Sequence, residues 1–243
     1  MTIELNNKCL GINYFHLKRN ENIIRDKLLL KIDKNYRQDI LEQIEDGGKL
    51  SIYIETRDKT TFCLYETTFI TDYVYLLEER NNIEEIVLDV IMSNNNSALG
   101  ENYNQYIVDI FYNWNKGIEI DWLKIKNVDM KEAYLTACYV WNYNLFEIKN
   151  INEVHIDGKL IECDEDLYHY LGEQLMGERG YFGSGLDSLG DFLIDIAKNN
   201  NISTTVVFTN VDILVQNTNK YFFETLNYLL EKAKFKVEII SSE

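Results

Sequence analysis

The chain has 243 residues, of which 46% are hydrophobic and 13% aromatic, enough apolar material for one large core or two compact ones and too much for wholesale disorder. Its 24 Lys and Arg stand against 40 Asp and Glu, a net charge of −16 with no basic cluster, so direct binding to a nucleic-acid backbone or to an anionic membrane is disfavoured. The acidity serves either plain solubility or encounter with a basic protein partner.

The first half predicts an irregular α+β domain. Residues 35–45 place Ile40, Leu41 and Ile44 at helical spacing, and Gly47 and Gly48 end that helix. The stretch SIYIETRDKTTFCLYE, residues 51–66, alternates about the polar link Arg57-Asp58-Lys59 and predicts a hairpin. EEIVLDVIM, residues 84–92, is a strand or a buried helical segment. Tyr106, Ile107, Ile110, Phe111 and Trp114 form a helical stripe ended at Gly117. Asp129 and Glu132 have capping-box spacing ahead of AYLTACYVW, a second aromatic helix. Aromatic stripes of this kind are core rather than ligand boxes. Residues 1–148 are assigned to this domain, whose role is open: it braces the rest, extends its binding surface, or binds something else.

Residues 149–243 have a cleaner order. Val154 and Ile156 make a short strand, and Asp157-Gly158 a turn. Asp164, Glu165 and Asp166 stand where a helix N-terminus favours negative charge, ahead of Leu167, Leu171 and Leu175. A glycine-rich loop, residues 177–185, leads to a further helix. TTVVFT, residues 204–209, reads as a buried strand. A helix from Tyr221 buries Phe222, Leu226, Leu229 and Leu230, and Val237, Ile239 and Ile240 close the pattern as a strand. Strands separated by helices predict an α/β domain with a small three-stranded parallel sheet.

Chemistry-bearing patterns are scarce. Cys9, Cys63, Cys138 and Cys163 form no CxxC pair and read as reduced thiols of a cytoplasmic protein. MTIELNNKCLG has no apolar core of a signal peptide, and no apolar run is long enough to span a bilayer. His16, His155 and His169 are far apart and carry no metal-ligand spacing. GERGYFGSG is glycine-rich but lacks the Lys-Ser/Thr of a P-loop and follows a helix where a dinucleotide fingerprint follows a strand. No catalytic residue, cofactor or metal is therefore expected, and the chain is not expected to be an enzyme. An enzyme seated in the first half has no motif behind it.

The informative stretch is residues 177–199. On a helix starting near Ser184, Leu186, Leu189, Phe192, Leu193 and Ile196 share the inner face, while Asp187, Asp191 and Asp195 repeat every four residues on the outer one. Like charges at that spacing repel by a few tenths of a kcal/mol, roughly, per pair. Three in a row are either tolerated in water or retained for their field.

Ile156-Asp157-Gly158, a helix, and then Tyr181-Phe182-Gly183-Ser184-Gly185-Leu186-Asp187-Ser188-Leu189-Gly190-Asp191 resemble the barstar family of ribonuclease inhibitors, whose loop has the form Y-[YF]-G-x-N-L-D-x-L-x-D. Strand, helix and last strand follow in the same order. The resemblance covers residues 152–243 only. It implies a bacterial, cytoplasmic immunity protein that binds a basic toxin nuclease one to one and blocks its active site. In the family a helix carboxylate takes the place of the substrate phosphate. By position that carboxylate is Asp191, flanked by Asp187, with Asp195 on the same stripe. Tyr181 would pack on the enzyme's catalytic His, and the backbone around Gly183 and Gly185 would lie against the enzyme. A further acid near the end of the last long helix contributes in the family, and Glu231 is the candidate. Gly185 stands where Asn is common. Gly190 stands where a large aromatic is common, and it offers a place where a partner could approach the backbone. The alternative is a protein-interaction module whose N-terminal domain makes the main contacts with a toxin that is not a ribonuclease. Charge favours the C-terminal region: residues 151–243 hold 16 acids and 7 bases, net −9, against net −7 in the other 150 residues.

Overall fold

The computed structural model describes residues 1–18, 26–45, 47–80, 83–97, 104–143, 145, 147–199 and 202–240. They form two compact units, Met1–Ile120 and Asp121–Glu243. Among the described residues no helix is long and apolar enough to cross a membrane.

The first unit is an antiparallel six-stranded sheet, ordered β1 (Thr2–Leu5), β4 (Gly48–Glu55), β5 (Thr61–Arg80), β6 (Ile83–Ser97), β3 (Asp26–Asp33) and β2 (Ile12–Lys18). Alternation sets its register. Leu28 pairs with Leu88 and Leu30 with Ile86, and all four are fully buried on one face. The expected hairpin is present, with Ser51 opposite Glu66 and the Thr56 N–H bonded to Thr60 O at 2.9 Å across the turn. EEIVLDVIM lies in β6, so the strand reading holds. With α1 (Arg37–Ile44) and α2 (Gln105–Asn115) the unit is α+β. Helix α2 docks on β2, where the Tyr14 hydroxyl donates to Asp109 Oδ1 at 2.7 Å.

The second unit is built on three parallel strands in the order β7 (Glu153–Asp157), β8 (Thr205–Thr209), β9 (Lys236–Ile240). Central β8 buries Val206, Val207 and Phe208 in succession, as a parallel strand covered on both faces must. Its helices are α3 (Val128–Trp141), α4 (Asp164–Met176), α5 (Leu186–Asn199), α6 (Val211–Asn217) and α7 (Lys220–Lys232). The sheet and its helices are the α/β fold expected from the sequence. Short α6 was not anticipated.

Two details differ from expectation. Helix α3 is capped by Asn127, whose Oδ1 accepts from the Met130 N–H at 3.0 Å, in place of an Asp129–Glu132 box. The compact units divide at Ile120, ahead of α3, whereas a boundary at 148/149 would leave α3 with the first half. The physical reason is a buried polar bridge from α3 to α4. Lys131 Nζ lies 2.7 Å from Asp166 Oδ1, and Trp122 Nε1 donates to the same oxygen at 2.7 Å. The backbone N–H groups of Glu162 and Cys163 donate to Asp166 Oδ2. Burial alone would raise the Asp166 pKa, but Lys131 and these donors hold it below the ordinary carboxylate range. His169 stacks on Trp122 with ring centroids 4.2 Å apart, and burial pulls its pKa down to about 4.

Candidate functional site

The segment between α4 and α5 is closed by backbone contacts that only glycine permits. A Cβ on Gly180 would stand 2.0 Å from Gly172 O on α4. Gly183 has φ +104°, and its Cβ would meet Leu189 N at 2.8 Å. Just before Gly180, the Arg179 N–H donates to Glu173 Oε1 at 2.8 Å, and Asn142 Nδ2, just past α3, donates to Arg179 O at 2.6 Å. Ser188 fastens the start of α5: its Oγ accepts from Ser184 N–H at 3.1 Å and donates to Gly185 O at 2.9 Å. The loop is therefore held in shape before any partner arrives, which lowers the ordering cost of binding.

Tyr181 is only 8% exposed. Its ring makes an edge contact with Phe192 at 5.7 Å between centroids and a tilted one with Tyr139 of α3 at 5.3 Å. Its hydroxyl lies 3.4 Å from Ser184 Oγ, and burial raises its pKa. Gly183 is buried too, while Gly185 is partly open and a Cβ there would meet nothing nearer than Ser188 Oγ at 3.9 Å.

Asp187 and Asp191 are exposed, one turn apart on the outer face of α5. Among the described residues no Lys or Arg lies within ion-pair distance of either. Asp195 is different: it pairs with Lys198 at 3.0 Å, so the bare stripe holds two carboxylates and not three. Glu231 is exposed in the last turn of α7, the helix that packs against α5. Gly190 needs a correction. It is buried, and a Cβ there would stand 3.3 Å from Leu229 Cδ2, so its small size serves the α5–α7 contact inside the protein and offers no place for a partner's approach.

Chemically, the face offers two carboxylates, unpaired among the described residues, beside a fixed loop. Carboxylates of this kind accept charge-assisted hydrogen bonds, bidentate from Arg. Two contributors were not singled out from sequence. Ser188 sits three residues after Gly185, the spacing of a hydroxyl-capped turn, and that signal was readable. Tyr139 lies in a stretch assigned to the other domain, and nothing local marks its contact with Tyr181.

Residues 151–238 match the family model for Barstar (barnase inhibitor), and no family model matches the N-terminal half. No curated protein matches the chain. The C-terminal segment is thus barstar-like both in sequence and in its parallel β7-β8-β9 sheet with covering helices.

Proposed function

We propose that the protein is an immunity protein that binds a basic toxin ribonuclease one to one and inhibits it by occupying the active site. The match to an inhibitor family supports a protein-binding, inhibitory role in general. The observation that carries the finer reading is the pair Asp187 and Asp191, exposed and, among the described residues, without a cation, on a helix whose entry loop is held by glycine packing. A ribonuclease site is a cationic cleft made for a phosphodiester. Asp191 enters it as the phosphate substitute, Asp187 flanks it, and Glu231 adds charge from α7. Tyr181 acts from beneath, holding the loop and offering only an edge. Inhibition is by occupancy, with no bond made or broken, and it takes place in the cytoplasm of the cell that carries the toxin.

The direct experiment titrates the full chain into barnase hydrolysing RNA. The reading expects stoichiometric inhibition that RNA competes away. Undiminished hydrolysis at a large excess of the chain overturns it.

A further inference from the structure

We propose that the C-terminal half of α3 and the turn after it, through Tyr139 and Tyr143, belong to the same protein-binding face as Asp187 and Asp191 and receive cationic side chains of the basic partner. The inference rests on the proposed function above and extends it to a segment outside the family-matched residues 151–238.

The placement follows from a continuous run of contacts. The Tyr143 ring lies 6.3 Å from that of Tyr139, Tyr139 lies 5.3 Å from Tyr181, and Tyr181 touches Phe192 and Ser184. Phe192 and Ser188 directly follow Asp191 and Asp187 on α5, about a quarter turn round the helix from them. Asn142, between the two tyrosines, is bonded to Arg179 O of the loop, so α3 and the loop keep their relative position. Tyr139 and Tyr143 are 40% and 37% exposed, against 8% for Tyr181 beneath them. Tyr139 covers Tyr181 with part of its ring and leaves the rest open, and Tyr143 continues the open aromatic surface beyond it.

Charge complementarity identifies the occupant. Residues 151–243, which hold the exposed Asp187 and Asp191, carry a net charge of −9, and Tyr139 meets that region at Tyr181. A guanidinium stacks on an aromatic ring and forks onto a carboxylate, so rings and carboxylates alike suit the cationic side chains of a basic partner. The same stretch already holds one such contact, Arg179 Cζ at 5.1 Å from the Trp141 ring centroid. Aromatic residues and Arg are also the groups that dominate protein interfaces. The occupant is therefore the basic ribonuclease itself, gripped on a wider footprint than the matched segment alone supplies.

The test uses the full chain and barnase as the probe. Hydrogen exchange of the wild-type chain is measured with and without barnase, beside the affinities of Tyr139→Ser/Tyr143→Ser, Tyr139→Phe and Asp191→Ala. The inference expects slowed exchange over residues 136–143 as well as 181–191. It expects at least about a tenfold loss of affinity for the double Ser variant, with Tyr139→Phe within about threefold of wild type. Protection confined to residues 181–199, with tyrosine variants binding as wild type and Asp191→Ala impaired, overturns this inference and leaves the proposed function standing. A wild-type chain that does not bind, or an Asp191→Ala variant that binds undiminished, overturns the proposed function itself. The exchange measurement needs no variant, so a destabilised double mutant does not obscure the outcome.

Discussion

Lys131 Nζ sits 2.7 Å from Asp166 Oδ1, both side chains are buried, and the pair joins a helix outside the barstar-matched segment to one inside it. Asp166 also accepts from Trp122 and from two backbone N–H groups, so its carboxylate is fully engaged.

Removing one partner of such a pair strands the other charge in the interior. Lys131→Met is expected to destabilise the second unit by about 3–5 kcal/mol. Lys131→Met/Asp166→Asn, which keeps the acceptor and drops its charge, should recover part of that loss. The Asp166 pKa is depressed in the folded state, so the pair's contribution is present above the ordinary carboxylate pKa and disappears as pH falls through the lowered one. Urea unfolding of the three proteins at neutral pH checks this, and a single-mutant loss under about 1 kcal/mol contradicts it.

His169 gives a second acid-sensitive element with a different window. Its folded pKa of about 4 lies below its ordinary 6.5, so protonation favours the unfolded chain. Stability from keeping it neutral is complete above pH 6.5 and is lost progressively down to about pH 4. The difference amounts to about 3 kcal/mol. His169→Phe keeps a ring on Trp122 and cannot be protonated. The wild type should lose about that much more stability than the variant between pH 7.5 and pH 4, and parallel losses contradict the assignment.

Two glycines of the same region should respond in opposite directions. Gly190→Ala gains helix propensity worth about 1 kcal/mol, and the atom it meets, Leu229 Cδ2 at 3.3 Å, is the end of a partly exposed side chain that can yield. The variant is expected to be as stable as wild type or up to about 1 kcal/mol more so. Gly183→Ala faces backbone at 2.8 Å with φ +104°, and should cost about 1–3 kcal/mol and loosen the loop over residues 181–187. Thermal unfolding of both variants decides; equal losses contradict the packing given to Gly190.

Much of the second unit was legible because each element has its own period and its own stop. Val154 and Ile156 alternate, acids open α4, the inner leucines of α5 recur at helical spacing, and Thr204 to Thr209 is continuously apolar at its centre. The strands β1 to β3 were not legible. The β2 register shifts between Ile12 and Tyr14, which breaks the alternation that would have announced it. What escaped at the candidate site was tertiary. Tyr181 looked like a free ring because its cover, Tyr139, comes from another helix. Gly190 looked like an opening because Leu229 comes from α7. Asp187 and Asp191 lie open on α5, whereas Asp195 is half-buried and pairs with Lys198 three residues on. Contacts between elements decide exposure, and no local pattern carries them.

The most direct test of the whole account is the affinity of Asp191→Ala for barnase at low and at raised salt, with Glu231→Ala measured beside it. A carboxylate docked among the enzyme's cations is a hot spot, so Asp191→Ala should bind at least about thirtyfold more weakly. Its affinity should also fall less steeply with salt than that of wild type, because a charge pair has been removed. Glu231→Ala should show the smaller effect of the two. An Asp191→Ala protein that binds as tightly as wild type, with the same salt dependence, contradicts the active-site plug.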